Sequence, residues 1–409
     1  MRRFLRRLAV LMLLGFGLGP STIVDGQIRD DVGEEEFLRQ HWRLPIPPQG
    51  RAPERFTGIE GSPDPESCGI CHPAQLADWR TSLHARSMGS GVKGQLIELI
   101  ESDPASALHC YGCHAPLSEQ QEKVEENGAY RVNQAFDGGL QRHGLTCAGC
   151  HVRRHERFGP PKRDGSLASD LPREQLPHGG VTRTPAFVRS EFCKECHQFA
   201  EAGYALNGKL LENTFNEWRA GPFGQAGVQC QECHMPDRRH LWRGIHDPEM
   251  VRSGVTIALT TDKQRYRRGE SVSARLTITN KNIGHHFPTY VTPRVVARIE
   301  LRDAKGRVVP GSREERRIGR EVTLDLSREI TDTRLAPGGS LVFQYRRRLD
   351  QVGLRLKLTV TVYPDHFYTG FFRSLLAQGA GKGTAQIRQA LAVTQRSHFV
   401  VYDRELPLI

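Results

Sequence analysis

Every cysteine in this 409-residue chain belongs to a C-x-x-C pair, and a histidine follows each pair at once. The five stretches are CGICH (Cys68, Cys71, His72), CYGCH (Cys110, Cys113, His114), CAGCH (Cys147, Cys150, His151), CKECH (Cys193, Cys196, His197) and CQECH (Cys230, Cys233, His234). The spacing has a chemical reason. Two thiols three residues apart lie one above the other on a helical turn and can form thioethers with the two vinyl groups of one porphyrin. The next residue then brings its imidazole under the ring as an axial ligand of the iron. A single such stretch would leave zinc and redox-dithiol readings open, because both use C-x-x-C. Five out of five followed by histidine point to five covalent haems c, and an odd number of pairs does not divide into paired zinc knuckles. No cysteine is left for a structural disulfide.

This repeat constrains the fold. Residues 60–250 are rich in Gly, Pro and polar side chains with only short apolar runs, too few for a conventional core. Five large apolar porphyrins supply the missing interior. The expected fold is therefore a multihaem cytochrome c domain, mostly coil and short helices wrapped around five haems, and largely unfolded without them.

The first residues, MRRFLRRLAVLMLLGFGLGPS, place four arginines ahead of an apolar run too short to cross a bilayer comfortably. They predict an export signal over 1–26, an N-terminal extension over 27–59, and a protein working in the periplasm or at the cell exterior. With 38% hydrophobic and 25% charged residues, the chain is not a bundle of membrane spans.

Twelve of the 17 histidines remain for the far sides of the irons. His84, in ADWRTSLHARSM, is read beside an apolar stripe of Trp79 and Leu83 on a short helix. His155 follows His151 by four residues and can serve only a neighbouring haem. His178 and His143 stand in glycine-marked turns. His240 and His246, in MPDRRHLWRGIHDPE, and His285 or His286, in GHHFPTY, are further candidates. His109 abuts its own attachment site, and His41, His366 and His398 are read as ordinary polar histidines. The expected distal ligands are His84, His155, His178, His246 and His285. Met88 and Met235 are read as packing.

From about Val251 the texture changes. SGVTIALTTDKQRYRRGESVSARLTITN alternates apolar and polar residues about a turn at RRGE, and VVARIELRD, LVFQYRRRL and LRLKLTVTVYPD repeat the period of two. These predict an all-β immunoglobulin-like sandwich over 251–370 and a tail over 371–409 with one helix near TAQIRQALAV and a final strand. Basic residues outnumber acidic ones two to one over 250–409, whereas the preceding part is slightly acidic. Redox partner proteins, or a membrane or surface electron-transfer complex, fit such a division. Nucleic acid does not, because aromatic residues are not interleaved with the basic ones.

DWRTSLHARSM resembles the W-x-x-S-x-H-A segment of exported multihaem cytochromes related to the tetrahaem cytochrome c and hydroxylamine oxidoreductase of nitrifiers. FNEWRAGPFGQAGVQCQECHMP is similar to their later segment, in which a tryptophan-bearing helix runs into C-x-x-C-H-M-P. GHHFPTY and YPDHFYTGFF look like the β-rich extension of a subset of that family. The resemblance implies stacked haems mostly held by two histidines, with His84 as a distal ligand and His155, His178 and His246 next in line. It also implies that a histidine of the GHHFPT turn can reach back to a haem. The family's catalytic members carry more haems, or a C-x-x-C-K that is absent here, and no tyrosine is visibly placed for a haem cross-link. Electron transfer is thus the expected function. The alternative is a multihaem oxidoreductase acting on hydroxylamine, nitrite or another small nitrogen or sulfur species at one open haem, and a haem-bearing structural filament is a third class.

Overall fold

The structure is a computed structural model that describes residues 28–408; the expected export signal lies outside them. The chain folds as two compact units that interleave along the sequence. One comprises the chain up to Ala202 together with Gln229–Trp242 and Gly379–Ala390, and the other Gly203–Val228, Arg243–Gln378 and Leu391–Ile409. Among the described residues no helix is long and apolar enough to cross a membrane.

The first unit is built from short helices, and each haem-attachment stretch lies on one or at its end. Helices Pro104–His114, Cys147–His151, Glu191–His197 and Cys230–His234 all stop at the histidine, and Pro65–Gly69 carries Cys68 into the turn holding Cys71 and His72. A helix that ends there leaves its last face, with both thiols and the imidazole, free to meet a flat group. Local hydrogen bonds make such short helices possible. Asp64, Asp103 and Thr146 accept from the first turns of their helices, and prolines open several of them. Apolar packing is sparse. One small cluster joins Met88, Leu96, Leu99, Ile100, Ala107, Tyr111 and Ala115, and another joins Trp42, Ile46, Leu117, Leu140, Ala148 and Val152. The returning segment seats Gly383 so close to Gly94 that a Cβ on Gly383 would stand 2.0 Å from the Gly94 carbonyl oxygen.

The second unit is strand-rich. Its main strands are β1 (Val255–Thr261), β2 (Ser271–Asn280), β3 (Arg294–Arg302), β4 (Glu314–Ile318), β5 (Ser340–Arg348), β6 (Arg355–Tyr363) and β7 (Phe399–Pro407). They form two antiparallel sheets, ordered β5–β2–β1 and β4–β3–β6–β7. The period of two legible in the sequence is the physical cause. Val272, Ala274, Leu276 and Ile278 of β2, and Leu356, Leu358, Val360 and Val362 of β6, are all at most 2% exposed and share one core with Ile299, Leu301 and Phe343. Each fully buried Leu or Ile contributes about 1.5–3 kcal/mol, so this core is the main source of apolar stabilisation in the chain. Two helices, His366–Gln378 and Thr384–Thr394, precede β7; the sequence predicts the second of them and β7 itself.

Segment 203–228, which lies between the fourth and fifth attachment stretches, joins the strand-rich unit through buried polar bonds. Arg320 is 2% exposed. Its guanidinium donates to the carbonyls of Leu206, Lys209 and Leu210 at 2.6–2.9 Å and to Glu329 Oε2 at 2.8 Å. Those carbonyls belong to a hairpin whose turn, Asn207 (φ 52°) and Gly208 (φ 69°), has the left-handed pair that tight hairpins need. Further along, Glu217 accepts from Arg334 Nη1 and Thr289 Oγ1, both at 2.8 Å, and from the His286 backbone N–H at 3.2 Å.

Candidate haem sites

None of the ten cysteines is joined in a disulfide, and among the described residues no group of three or more His, Cys, Asp or Glu side chains converges as a metal cluster. The donor set is thus arranged as separate Cys, Cys, His triples rather than as tetrahedral zinc sites. The triples are nonetheless neighbours in space. The Cys68 sulfur lies beside that of Cys147, the Cys196 sulfur beside that of Cys113, and the Cys193 sulfur beside that of Cys230. The first site therefore adjoins the third, the fourth adjoins the second and the fifth, and chain order is not spatial order. Ser190, fully buried, ties the fourth site to the fifth. It precedes helix Glu191–His197, its Oγ accepts from the Cys230 backbone N–H at 2.9 Å, and its own N–H donates to Gln229.

Two attachment histidines show how the rings are oriented. His114 Nδ1 bonds the Ser87 carbonyl and His151 Nδ1 the Phe158 carbonyl, each at 2.8 Å. A carbonyl on Nδ1 fixes the ring and leaves Nε2 as the free donor atom, which is how ligating imidazoles are usually held. Burial pushes the His114 pKa down and that of His151 down to about 4, so both are neutral and able to bind a metal.

Opposite two of these stretches stands a second imidazole. The His84 ring faces that of His197 with centroids 6.3 Å apart, and His240 faces His151 at 6.2 Å. Two imidazoles bound through nitrogen to opposite sides of one metal, each bond about 2 Å long, hold their centroids about 6 Å apart. His84 Nδ1 is shielded from solvent and has no hydrogen-bond partner. Burial, with His197 and His234 adding, pushes its pKa down to about 3. A neutral imidazole with one shielded, unpartnered nitrogen beside another imidazole is the donor arrangement that an iron between them would satisfy. His240 Nδ1 is anchored on the Arg238 carbonyl at 3.1 Å. Trp242 packs edge-on against both distal rings, at 4.8 Å from His84 and 5.1 Å from His240.

The local fold explains the placement of His84. Helix Pro73–Thr81 stops at Ser82, whose Oγ donates to the Trp79 carbonyl at 2.7 Å, so His84 opens a following 3-10 turn instead of continuing the helix. Trp79 is buried and donates from Nε1 to the Leu145 carbonyl at 2.8 Å, whereas Leu83 is 49% exposed and is no part of an apolar stripe. The chain break at Ser82 turns Leu83 outward and His84 inward.

The remaining candidates fall into distinct settings. His178, at φ 44°, bonds the Gly180 carbonyl through Nδ1 at 3.2 Å; burial, Arg157 and, more weakly, His72 of the first stretch lower its pKa. His155 is buried, but its Nε2 lies 3.0 Å from the Gly50 carbonyl and its backbone N–H donates to Gln49 Oε1, so a carbonyl and a side-chain amide already hold it. In the strand-rich unit His246 Nε2 lies 3.0 Å from Asp365 Oδ1, His285 Nδ1 bonds the His286 carbonyl at 2.8 Å, and His286 Nδ1 lies 3.5 Å from Glu217 Oε2. His143 lies 3.8 Å from Asp64. His41 is 3% exposed, with Nε2 2.8 Å from the Cys150 carbonyl inside a cluster of Phe37, Phe158, Phe187 and Phe192. It is a buried structural residue of the third site, a role that no periodicity in the sequence reveals. His240 is only one of several candidates in the sequence, because a turn histidine shows nothing of what it faces. The Tyr111 hydroxyl donates to Glu122 at 2.5 Å and that of Tyr204 donates to the Leu326 carbonyl.

The comparisons with known proteins agree with this donor chemistry. The family model described as cytochrome c554 and c-prime matches residues 67–136. Cytochrome c-554 of Nitrosomonas europaea is 25% identical over 143 residues, which cover 32% of this chain and 55% of that protein. The chain thus spans about half the length of this curated relative. The crystal structure of a penta-heme cytochrome c552 from Thermochromatium tepidum is similar in fold at a TM-score of 0.61 and 18% identity, covering 86% of this chain and all of that one. Five thiol pairs with adjoining imidazoles, the matched family segment and the shared fold lead to one conclusion: the chain is a multihaem c-type cytochrome with covalently bound haem, related to the cytochrome c554 family and bearing a structurally distinct β-rich region.

Proposed function

We propose that this protein is an extracytoplasmic electron carrier whose irons are mostly held between two histidines. Covalently bound haem supplies one-electron exchange at iron, and an iron with imidazole on both sides has no position left for a substrate. The chain's own residues do the rest. His197 with His84, and His151 with His240, would each hold one iron between them; the cysteine pairs would fix each ring; and carbonyl bonds to Nδ1 of His114, His151 and His240 set imidazole orientation and basicity. The observation that carries this reading is the pair of centroid separations, 6.3 and 6.2 Å, between imidazoles far apart in sequence. His178 is the candidate partner for His72. The adjacency of thiols across sites supports transfer between neighbouring sites rather than along the sequence. The two sheets are read as an immunoglobulin-like sandwich, and the basic excess of that region as a docking surface for acidic redox partners or an anionic cell surface.

One observation favours a second reading. His114 is oriented on the Ser87 carbonyl and shielded, and none of the histidine pairings above includes it. An oxidoreductase acting on hydroxylamine, nitrite or a related small species would use such a site. Electron paramagnetic resonance of the oxidised protein separates the two. Low-spin signals accounting for every haem support the carrier, whereas a high-spin signal from the haem of Cys110 and Cys113 that responds to added hydroxylamine or nitrite supports the enzyme.

A further inference from the structure

We infer that Asp78 is the positioning residue that presents His240 to the iron carried by His151; this rests on the axial pairing proposed above. Asp78 lies on helix Pro73–Thr81, immediately after the first attachment stretch, and is 9% exposed. Its Oδ2 accepts from the His240 backbone N–H at 3.1 Å and from Arg239 Nε at 3.1 Å, while Oδ1 accepts from Arg239 Nη2. The next residue, Trp79, donates to the Leu145 carbonyl two residues before Cys147. One turn of helix therefore grips both segments whose imidazoles face each other: 145–151 through Trp79 and 238–240 through Asp78.

The segment bearing His240 needs such a grip. Asp237 (φ 53°), Arg238 (φ 63°) and Trp242 (φ 43°) all occupy the left-handed region that side chains other than glycine seldom adopt, so the backbone on both sides of His240 is strained. Apart from the ring's own Nδ1 bond to the Arg238 carbonyl, its other ties act at the ends. Arg238 Nη1 donates to the Pro161 carbonyl, Arg163 pairs with Asp237, and the Trp242 N–H donates to the His234 carbonyl. The bond from Asp78 acts on the backbone of His240 itself. A carboxylate that accepts at once from a residue's own N–H and from its neighbour's guanidinium restrains rotation of that peptide, and with it the direction of the imidazole.

The test uses the holoprotein, matured with its haems, and compares Asp78→Ala, Asp78→Asn, Arg239→Ala and His240→Ala by electron paramagnetic resonance, with haem content checked by mass. His240→Ala is expected to convert one haem from low-spin to high-spin, and Asp78→Ala to convert the same haem wholly or in part, with no additional haem converted in the double variant. Asp78→Asn keeps an acceptor for the His240 N–H and is expected to stay low-spin with a shifted potential. Arg239→Ala removes the ion pair but not that bond and is expected to stay low-spin, which a purely structural salt bridge would not predict. Added imidazole should restore the low-spin signal in Asp78→Ala. Should that variant not accumulate, Asp78→Glu keeps the charge, displaces the acceptor by one methylene and should give the same signal at smaller amplitude. A high-spin haem in His240→Ala together with an unchanged spectrum in Asp78→Ala or Asp78→Glu overturns the role of Asp78 alone. No spin change in His240→Ala overturns the axial pairing and this inference with it.

Discussion

Replacing Glu217 by alanine should cost the strand-rich unit about 3–5 kcal/mol, the range for breaking a buried ion pair from one side. The side chain is 4% exposed and its partner Arg334 is 5% exposed. Removal leaves the His286 N–H without its acceptor, at about 1–3 kcal/mol when buried, whereas the Thr289 hydroxyl keeps Thr214 Oγ1 at 2.8 Å. The total stays within the ion-pair range because Arg334 keeps its two-pronged bond to Asp332 at 2.9 and 3.0 Å. Glu217→Gln keeps an acceptor and should cost only about 1–2 kcal/mol. The same group gives a pH dependence. Burial alone would raise its pKa, but bonding to His286, Arg334 and Thr289 prevails and lowers it. A depressed carboxylate contributes stability above its unfolded value, about 4.3, and loses it as pH falls through the lower folded value. Urea unfolding of the holoprotein, followed by β-sheet circular dichroism at pH 7 and in steps below about pH 4.5, measures both effects. A loss under about 1 kcal/mol for Glu217→Ala, or equal losses for Ala and Gln, would refute the reasoning.

Other outcomes follow from the same contacts. Trp79→Phe keeps the ring packing but removes the Nε1 bond to Leu145, and should lower stability by about 1 kcal/mol with unchanged haem content, read by thermal melting and mass. Leu358→Ala, at 0% exposure in the shared core, should cost about 2–5 kcal/mol by urea unfolding and leave the haem spectrum untouched. A chain with all ten cysteines replaced by alanine should keep its β-sheet circular dichroism and lose most of its helical signal, because among the described residues only the strand-rich unit has a large apolar core. Retention of full helicity would contradict the structural role given to haem.

The parts of this architecture that rest on local chemistry are legible in the sequence, and those that rest on distant meetings are not. Attachment chemistry is confined to five residues, so Cys147 to His151 can be read without knowing what surrounds them. β2 and β6 are visible because a strand with one buried face must alternate, and Val272 to Ile278 and Leu356 to Val362 do so. His84 is visible through its neighbours, although the apolar period carries the helix past its true end. Ser82 ends it, and a single serine in a helical pattern is too weak a signal to override the period. The pairings of His240 with His151, and of Asp78 with His240, join segments tens to over a hundred residues apart. No periodicity records such a meeting. The same holds for segment 203–228, whose attachment to the strand-rich unit depends on Arg320 reaching three carbonyls and on Arg334 reaching Glu217.

Intact mass spectrometry of the purified protein after thiol alkylation tests the central claim most directly. The polypeptide should carry the added mass of five haems and no alkyl group, because all ten sulfurs are in thioether links. Alkylated cysteines at these positions, or zinc in place of haem iron, would contradict it.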